Sequence, residues 1–193
     1  MRLIRLGIVI ASFLAVPSAA DAQAAGAPRA HRALWATVSV GRGDLQVNCG
    51  ICRSVDQSSW TADLSIGGWI RPRTALGGEI GAWRLGGDDA TQRVMLVGVV
   101  SRLYPLVKAA AFVKLGAGFM GYNSTDEEQS LSARSLAVQA GFGYDISVRQ
   151  YIVVPHVGLV QGFSSGLHLD GTQVTSGSHL KLIRFGVGVG VGR

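Results

Sequence analysis

A chain of 193 residues suits one domain, and its 16% of charged residues is well below the quarter that is usual in soluble proteins. Its 27 Gly against 5 Pro exclude a collagen-like repeat and a Pro-rich linker, since the Gly residues lie inside apolar stretches. The formal net charge is +6, but the Lys and Arg residues form no run, so nucleic acid is not an expected partner.

The first predicted element is an export signal. Residues 1–5 form a basic n-region, residues 6–16 form an apolar run, and residues 20–22 match an A-x-A cleavage site before Gln23. The apolar run is too short to cross a membrane as a helix, which needs about 20 residues. The sequence therefore divides into a signal peptide (1–22), a flexible lead-in (23–33) and a mature domain (34–193).

The mature domain is predicted to be a series of β-strands, because apolar and polar residues alternate with a period of two. The strands are expected to begin near Leu34, Ser58, Thr74, Arg93, Ala109, Arg134, Gln150 and Ser178. Long connections (42–57, 86–92, 123–133 and 164–177) alternate with tight turns (71–73, 104–108 and 147–149). This alternation is typical of outer-membrane barrels, which have long loops on one side only.

Alternation also assigns the two faces of the strands. One face is continuously apolar, while the other carries Gly and isolated charges. A soluble barrel would hold its large apolar residues inside, so we expect the apolar face to point outward to lipid. Buried charges must pair, and we expect a polar network in a narrow lumen formed by Asp63, Glu79, Lys114, Asp145, His156 and Arg184. The inward Gly residues are expected to make room for these long side chains.

Several segments carry a resemblance: residues 76–81 (LGGEIG), Tyr104-Pro105 leading to residues 112–118 (FVKLGAG), and residues 141–145 (GFGYD). They resemble the eight-stranded outer-membrane β-barrel families of the OmpA and OmpX type, over nearly all of the mature domain. The resemblance implies an all-β, closed, antiparallel, up-and-down transmembrane barrel in the outer membrane of a Gram-negative bacterium. It implies as partners outer-membrane lipid, lipopolysaccharide, the barrel-assembly machinery and a surface ligand at the loops, and it implies no cofactor.

The carboxyl terminus departs from these families, whose members usually end in an aromatic residue that the assembly machinery reads. This chain ends in Val191, Gly192 and Arg193. Either Phe185 takes part in that signal or the assembly signal differs.

Cys49 and Cys52 form a C-x-x-C motif in the first long connection. Such a motif can be a redox dithiol or half of a metal site. The sequence has no second C-x-x-C and no helix pattern after the first. In an exported protein we expect a small disulfide that stiffens the loop, and no metal site.

We expect a structural or surface-interaction role through the extracellular loops, without an open pore and without catalytic residues. Three alternatives stay open: a barrel that binds a small ligand or lipid, an outer-membrane lipid-modifying hydrolase, and a soluble lipocalin-like barrel. A hydrolase needs Ser, His and an acid at one level, and Ser164 or Ser165, His168 and Asp170 would be such a set. The acidic groups at 88–89 and 126–128 lack EF-hand spacing and are expected to be solvated.

Overall fold

The computed structural model describes residues 34–48, 55–86, 90–106, 110–126, 129–169 and 172–191. They form nine β-strands: β1 (Leu34–Asn48), β2 (Val55–Arg71), β3 (Thr74–Gly86), β4 (Ala90–Leu103), β5 (Ala111–Asp126), β6 (Ser130–Tyr144), β7 (Ile146–Val148), β8 (Tyr151–Leu169) and β9 (Thr172–Val191). The described residues include no helix that is long and apolar enough to cross a membrane. The predicted signal peptide (1–22) and lead-in (23–33) lie outside the described residues.

The strands close into a barrel. Each long strand pairs antiparallel with its neighbours in the order β6-β5-β4-β3-β2-β1-β9-β8, and β6 also pairs with β8. The short β7 follows β6 after Asp145 and pairs with β8, so it continues the wall that β6 begins. The predicted closed antiparallel barrel with eight strand positions is confirmed.

The wall closes with a stagger. When the paired residues are followed from Arg42 on β1 across β2, β3, β4 and β5, the partner on β6 is Ser132. When they are followed from Arg42 in the other direction, across β9 and β8, the partner on β6 is Phe142. The barrel therefore closes with a shift of ten residues, which tilts the strands relative to the barrel axis. Closure gives each of the eight long strands that the structure describes a partner on both sides.

The tight turns define one end of the barrel, here called the turn end. β2 ends at Arg71 and β3 begins at Thr74, as the sequence predicted. The predicted turn at 147–149 begins later, because residues 146–148 form β7 and the turn consists of Arg149 and Gln150. Arg149 has a φ of 54°, in the left-handed region that the tight reversal requires.

The opposite end, here called the loop end, differs from the prediction. β1 runs to Asn48 and β2 begins at Val55, so most of the predicted connection 42–57 is strand. The connections at 86–92, 123–133 and 164–177 are shortened in the same way. Their polar composition predicted loops, but alternate residues such as Leu45 and Leu131 point inward and join the apolar core. Backbone pairing therefore continues through segments whose outward residues are polar.

The outer face is an apolar belt. Large hydrophobic side chains that are about half exposed or more occur on every long strand, as the alternation predicted. Examples are Val38, Val40, Trp60, Leu64, Ile66, Ile80, Val97, Val99, Leu115, Phe119, Leu136, Val138, Phe142, Val157, Phe185, Val187 and Val189. A surface this apolar has no counterpart on an ordinary soluble monomer.

The lumen is filled in three layers. An apolar cluster occupies the loop-end half: Leu45, Trp83, Val94, Leu96, Met120, Tyr122, Ala133, Ala137, Val160, Leu180 and Leu182. A charged layer follows, and two aromatic clusters close the turn end: Trp35, Ala75 and Val100, and then Tyr104, Phe112 and Val154. Trp69 packs against both of these clusters.

The inward glycines fall into two groups, according to whether an added Cβ would meet a side chain or the main chain of the neighbouring strand. At Gly81 an added Cβ would lie 2.7 Å from the carboxylate oxygen of Asp63, so this glycine makes room for a side chain, as predicted. Gly98 and Gly118 instead face each other across β4 and β5, and a Cβ on Gly98 would lie 2.5 Å from a main-chain oxygen. Similar opposed pairs occur at Gly41–Gly186, Gly67–Gly77 and Gly141–Gly158. These pairs let a narrow wall curve without an inward Cβ at the closest strand contacts.

Replacing Gly118 by Ala is expected to lower the free energy of unfolding by about 1–3 kcal/mol, because the new methyl group collides with the main chain of Val97. Gly121→Ala is the matched control, since a Cβ there meets nothing within 4 Å. Its effect should stay within about 0.5 kcal/mol. Urea unfolding of the two refolded variants measures the difference, and equal losses would contradict this role of Gly118.

Candidate functional site

Arg184 on β9 lies at the centre of the lumen and is only 2% exposed. Its Nη1 donates to the carboxylate of Asp63 on β2. Its Nη2 donates to Oε1 of Glu79 on β3 at 2.5 Å and to Oε1 of Gln139 on β6 at 2.6 Å. The planar guanidinium offers several donors in one fork, so a single side chain links β9 to three other strands.

Glu79 receives the second cation of this layer. Its Oε2 accepts from Lys114 Nζ on β5 at 2.8 Å and from Ser65 Oγ on β2 at 2.9 Å. Glu79 is 2% exposed and Lys114 is 8% exposed, so neither charge is solvated by bulk water. Two carboxylates, Asp63 and Glu79, thus face two cations, and the formal charge of this group is zero. Pairing and hydrogen bonding of this kind are what buried charges require.

His156 on β8 lies at the edge of the charged layer. Its Nε2 is 3.9 Å from Oδ2 of Asp63. Its Nδ1 is 3.3 Å from the main-chain oxygen of Val154, a contact in which the ring N–H donates to the carbonyl. The imidazole therefore completes the layer from a strand that supplies no other charged group to it.

Asp145 occupies a different place from the other five residues of the predicted network. It lies at the turn end, where its Oδ2 accepts from the Tyr104 hydroxyl at 2.9 Å. Burial, and then the Asp145 carboxylate, raise the pKa of Tyr104 above its ordinary value, so the phenol keeps its proton as a donor. Strand alternation gives the face of a residue but not its height, which is why the sequence grouped Asp145 with the central charges.

Arg102 on β4 is a buried cation that the sequence did not single out. It is 7% exposed, and its Nη2 donates to Thr37 Oγ1 at 3.2 Å. Its guanidinium lies 3.8 Å from the ring centroid of Trp35 and 5.0 Å from that of Phe112. The sequence could have indicated that Arg102 points inward, because it lies an even number of residues from the inward Val94, Leu96 and Val100 of β4. The apolar residues on both faces of this strand obscured that pattern.

A small cavity separates the charged layer from the aromatic residues at the turn end. Its lining is predominantly charged or hydroxylated, and includes Thr37, Ser39, Asp63, Ser65, Glu79, Arg102, Lys114 and His156. The arrangement connects strands of the wall from within at the level of the charged layer. Its chemistry suits water or a small ion better than a hydrophobic guest.

The other residues that the sequence singled out belong by sequence to the connections at the loop end. Cys49 and Cys52 are outside the described residues, and their disulfide stays a prediction. His168 belongs to β8 rather than to the predicted connection 164–177. The side chains of Ser164 and Ser165, and Asp170 altogether, fall outside the part of the chain that can be described. Most of the set considered for the hydrolase alternative therefore lies outside the described residues.

The alternating faces, the outer apolar belt and the filled lumen define the class: a small closed antiparallel barrel with the outer-membrane fold. The same fold occurs in Ail, the attachment invasion locus protein of Yersinia pestis, with 15% identity and a TM-score of 0.52 over 81% of this chain and 97% of that chain. The structure of Ail in complex with the heparin analogue sucrose octasulfate has 13% identity and a TM-score of 0.54, over 82% of this chain and 99% of that chain.

Neisserial surface protein A gives 10% identity and a TM-score of 0.52 over 81% of this chain and 96% of that chain. At such identities the likeness establishes the fold, and the expected resemblance to small eight-stranded outer-membrane barrels is confirmed at that level. No protein-family model matches the sequence. No curated protein matches it either.

Replacing Arg184 by Met is expected to lower the free energy of unfolding by about 3–5 kcal/mol, because Asp63 stays buried without its cation. The double variant Arg184→Met/Asp63→Asn removes that orphaned charge and keeps the Lys114–Glu79 pair, so it should recover part of the loss. Urea titration of the refolded proteins measures both effects. An unchanged midpoint for Arg184→Met would show that the charged layer does not stabilise the barrel.

Proposed function

We propose that the protein is an integral outer-membrane barrel that acts at the cell surface through the loop end of its hairpins and is not an open pore. The observation that carries this proposal is the pairing of an apolar outer belt with a charged, filled lumen. A soluble barrel has the reverse arrangement. We propose in addition that residues 1–22 are the export signal and that residues 34–193 are the membrane domain.

The length of the strands supports a location in the membrane. The strands have 13 to 20 residues apart from β7, whereas crossing the hydrocarbon core takes about 9–11 residues of a tilted strand. The barrel is therefore long enough to span a bilayer and to extend beyond it. The polar outward residues begin toward the loop end, as expected for the part that leaves the membrane.

The chemistry of the partner is indicated by charge at the loop end. Asp44, Asp56 and Asp126 lie in the parts of β1, β2 and β5 that are nearest to this end. Further acidic residues belong by sequence to the connections at this end: Asp88, Asp89, Glu127, Glu128 and Asp170. We infer a cationic partner. Ail forms a complex with a sulfated heparin analogue, which shows that a protein of this fold can bind a charged ligand, but the acidic hairpin ends of this chain favour a ligand of opposite charge.

A hydrophobic guest in the lumen is the weaker proposal. The lumen along the described strands is filled by packed side chains, and its cavity is lined mainly by charged and hydroxyl groups. An apolar ligand would have to displace hydrogen-bonded charges, which costs more than its own burial returns. We propose for the same reason that the barrel is not a lipid-processing enzyme working from its interior.

Tryptophan fluorescence tests the membrane location. Trp60 is 65% exposed on the outer face, whereas Trp83 is 1% exposed on the inner face. In vesicles of lipid brominated on its acyl chains, wild-type fluorescence should be partly quenched. Trp60→Phe should remove most of the quenchable signal, and Trp83→Phe should leave it in place. Quenching that does not depend on Trp60 would exclude the proposed orientation of the wall.

Binding to probes of opposite charge tests the surface role. The protein in zwitterionic nanodiscs should bind a lysine-rich peptide and should bind sucrose octasulfate at least tenfold more weakly. Asp44→Asn/Asp56→Asn/Asp126→Asn should weaken peptide binding, because each carboxylate removed lowers the attraction. Calorimetry at low salt measures the affinities. Preference for the sulfated probe would overturn the inferred class of partner.

A further inference from the structure

Two arginines face each other on the outer wall. Arg84 on β3 and Arg93 on β4 are directly opposite in the strand register, and both side chains are exposed. Directly opposed residues have Cβ atoms about 5 Å apart, and like charges in such a pair destabilise the sheet. Neither arginine forms an ion pair with a carboxylate among the described residues. The pair therefore lacks a counter-charge within the described wall.

The row continues on the β2 side. Trp60 pairs with Arg84 and with Arg42, and the Arg42 guanidinium lies 5.2 Å from the Trp60 ring centroid. On β6 Arg134 is exposed and pairs with Gly121 of β5, whose partner on β4 is Met95, so Arg134 lies one outward position nearer the belt than the row that contains Arg93. Gly121 carries no side chain and an added Cβ there would meet nothing within 4 Å, so the wall beside Arg134 is open, with Met95 on the other side of Gly121.

These arginines mark the edge of the apolar belt. Val40 precedes Arg42 by two residues on β1 and is 60% exposed. Met95 follows Arg93 by two residues on β4 and is 50% exposed, and Leu136 follows Arg134 in the same way on β6 and is 62% exposed. Residues two apart on a strand share a face, so each of these arginines is the next outward side chain beyond an apolar one. In a membrane this position lies at the level of the lipid headgroups.

We propose that Arg42, Arg84, Arg93 and Arg134 form a binding surface for the phosphate groups of anionic lipids in the leaflet around the loop end. The inference rests on the proposed membrane location. A guanidinium binds phosphate oxygens through two parallel N–H bonds, and a shared phosphate converts the Arg84–Arg93 repulsion into attraction. The lipid chains then lie against the belt directly below, so one ligand satisfies both the apolar and the charged part of the surface.

Trp60 is a built-in reporter for this surface, because it pairs with two of the arginines. The mature protein is placed in vesicles that contain brominated phosphatidylglycerol or brominated phosphatidylcholine, each diluted into unlabelled lipid. The Trp60 signal, taken as the difference between wild type and Trp60→Phe, should be quenched with at least a fivefold preference for the anionic lipid. Arg84→Gln/Arg93→Gln should reduce that preference about fivefold or more, since each basic residue near an anionic surface contributes roughly that factor.

The controls separate position from charge. Arg71→Gln/Arg73→Gln removes the same charge at the turn end and should leave the Trp60 preference unchanged. Arg84→Lys/Arg93→Lys keeps the charge but not the paired N–H donors, so it should lose part of the preference. Asp88→Asn/Asp89→Asn tests the acidic connection of the same hairpin and should raise the preference or leave it unchanged.

Each contrary result has a distinct meaning. Quenching at Trp60 without any preference, or a preference that survives Arg84→Gln/Arg93→Gln, overturns the arginine surface while leaving the membrane location intact. Loss of the preference in millimolar inorganic phosphate overturns the assignment to lipid. Absence of Trp60 quenching by either lipid overturns the membrane location, and the arginine surface with it.

Discussion

An eight-strand wall encloses a lumen only as wide as the side chains that point into it, and the other features follow from this width. Alternate residues point inward, and in the charged layer these residues include the carboxylates of Asp63 and Glu79, whose buried charges need partners. Arg184 resolves the problem by donating to Asp63, Glu79 and Gln139 at once. The same narrowness brings neighbouring strands so close on the inside that opposed glycines such as Gly98 and Gly118 are needed.

The order of the layers in the lumen affects the free energy of the buried ion pairs. The charged layer lies between an apolar cluster toward the loop end and aromatic clusters toward the turn end. Water is thereby kept from the ion pairs on the loop-end side, which strengthens their attraction but makes the loss of one partner costly. Arg102 is not part of this neutral group of four charges, and it contacts the rings of Trp35 and Phe112 and the hydroxyl of Thr37.

The sequence predicted the faces of the wall well because a period of two translates directly into inside and outside. Asp63, Glu79, Lys114 and Arg184 were placed in the lumen from alternation alone. Height could not be predicted in this way, and Asp145 lies with Tyr104 at the turn end. Strand ends were also missed, because segments such as 42–57 have the composition of loops while their alternate residues complete the apolar core.

The outer wall carries charge of opposite sign at two heights. Arginines follow the apolar belt on β1, β3, β4 and β6, and acidic residues dominate the hairpin ends beyond them. A single charge pattern could not serve both a membrane surface and a soluble partner, since anionic lipid would compete for the same cations. With the arginines turned to lipid headgroups and the carboxylates above them, the two proposed contacts do not compete.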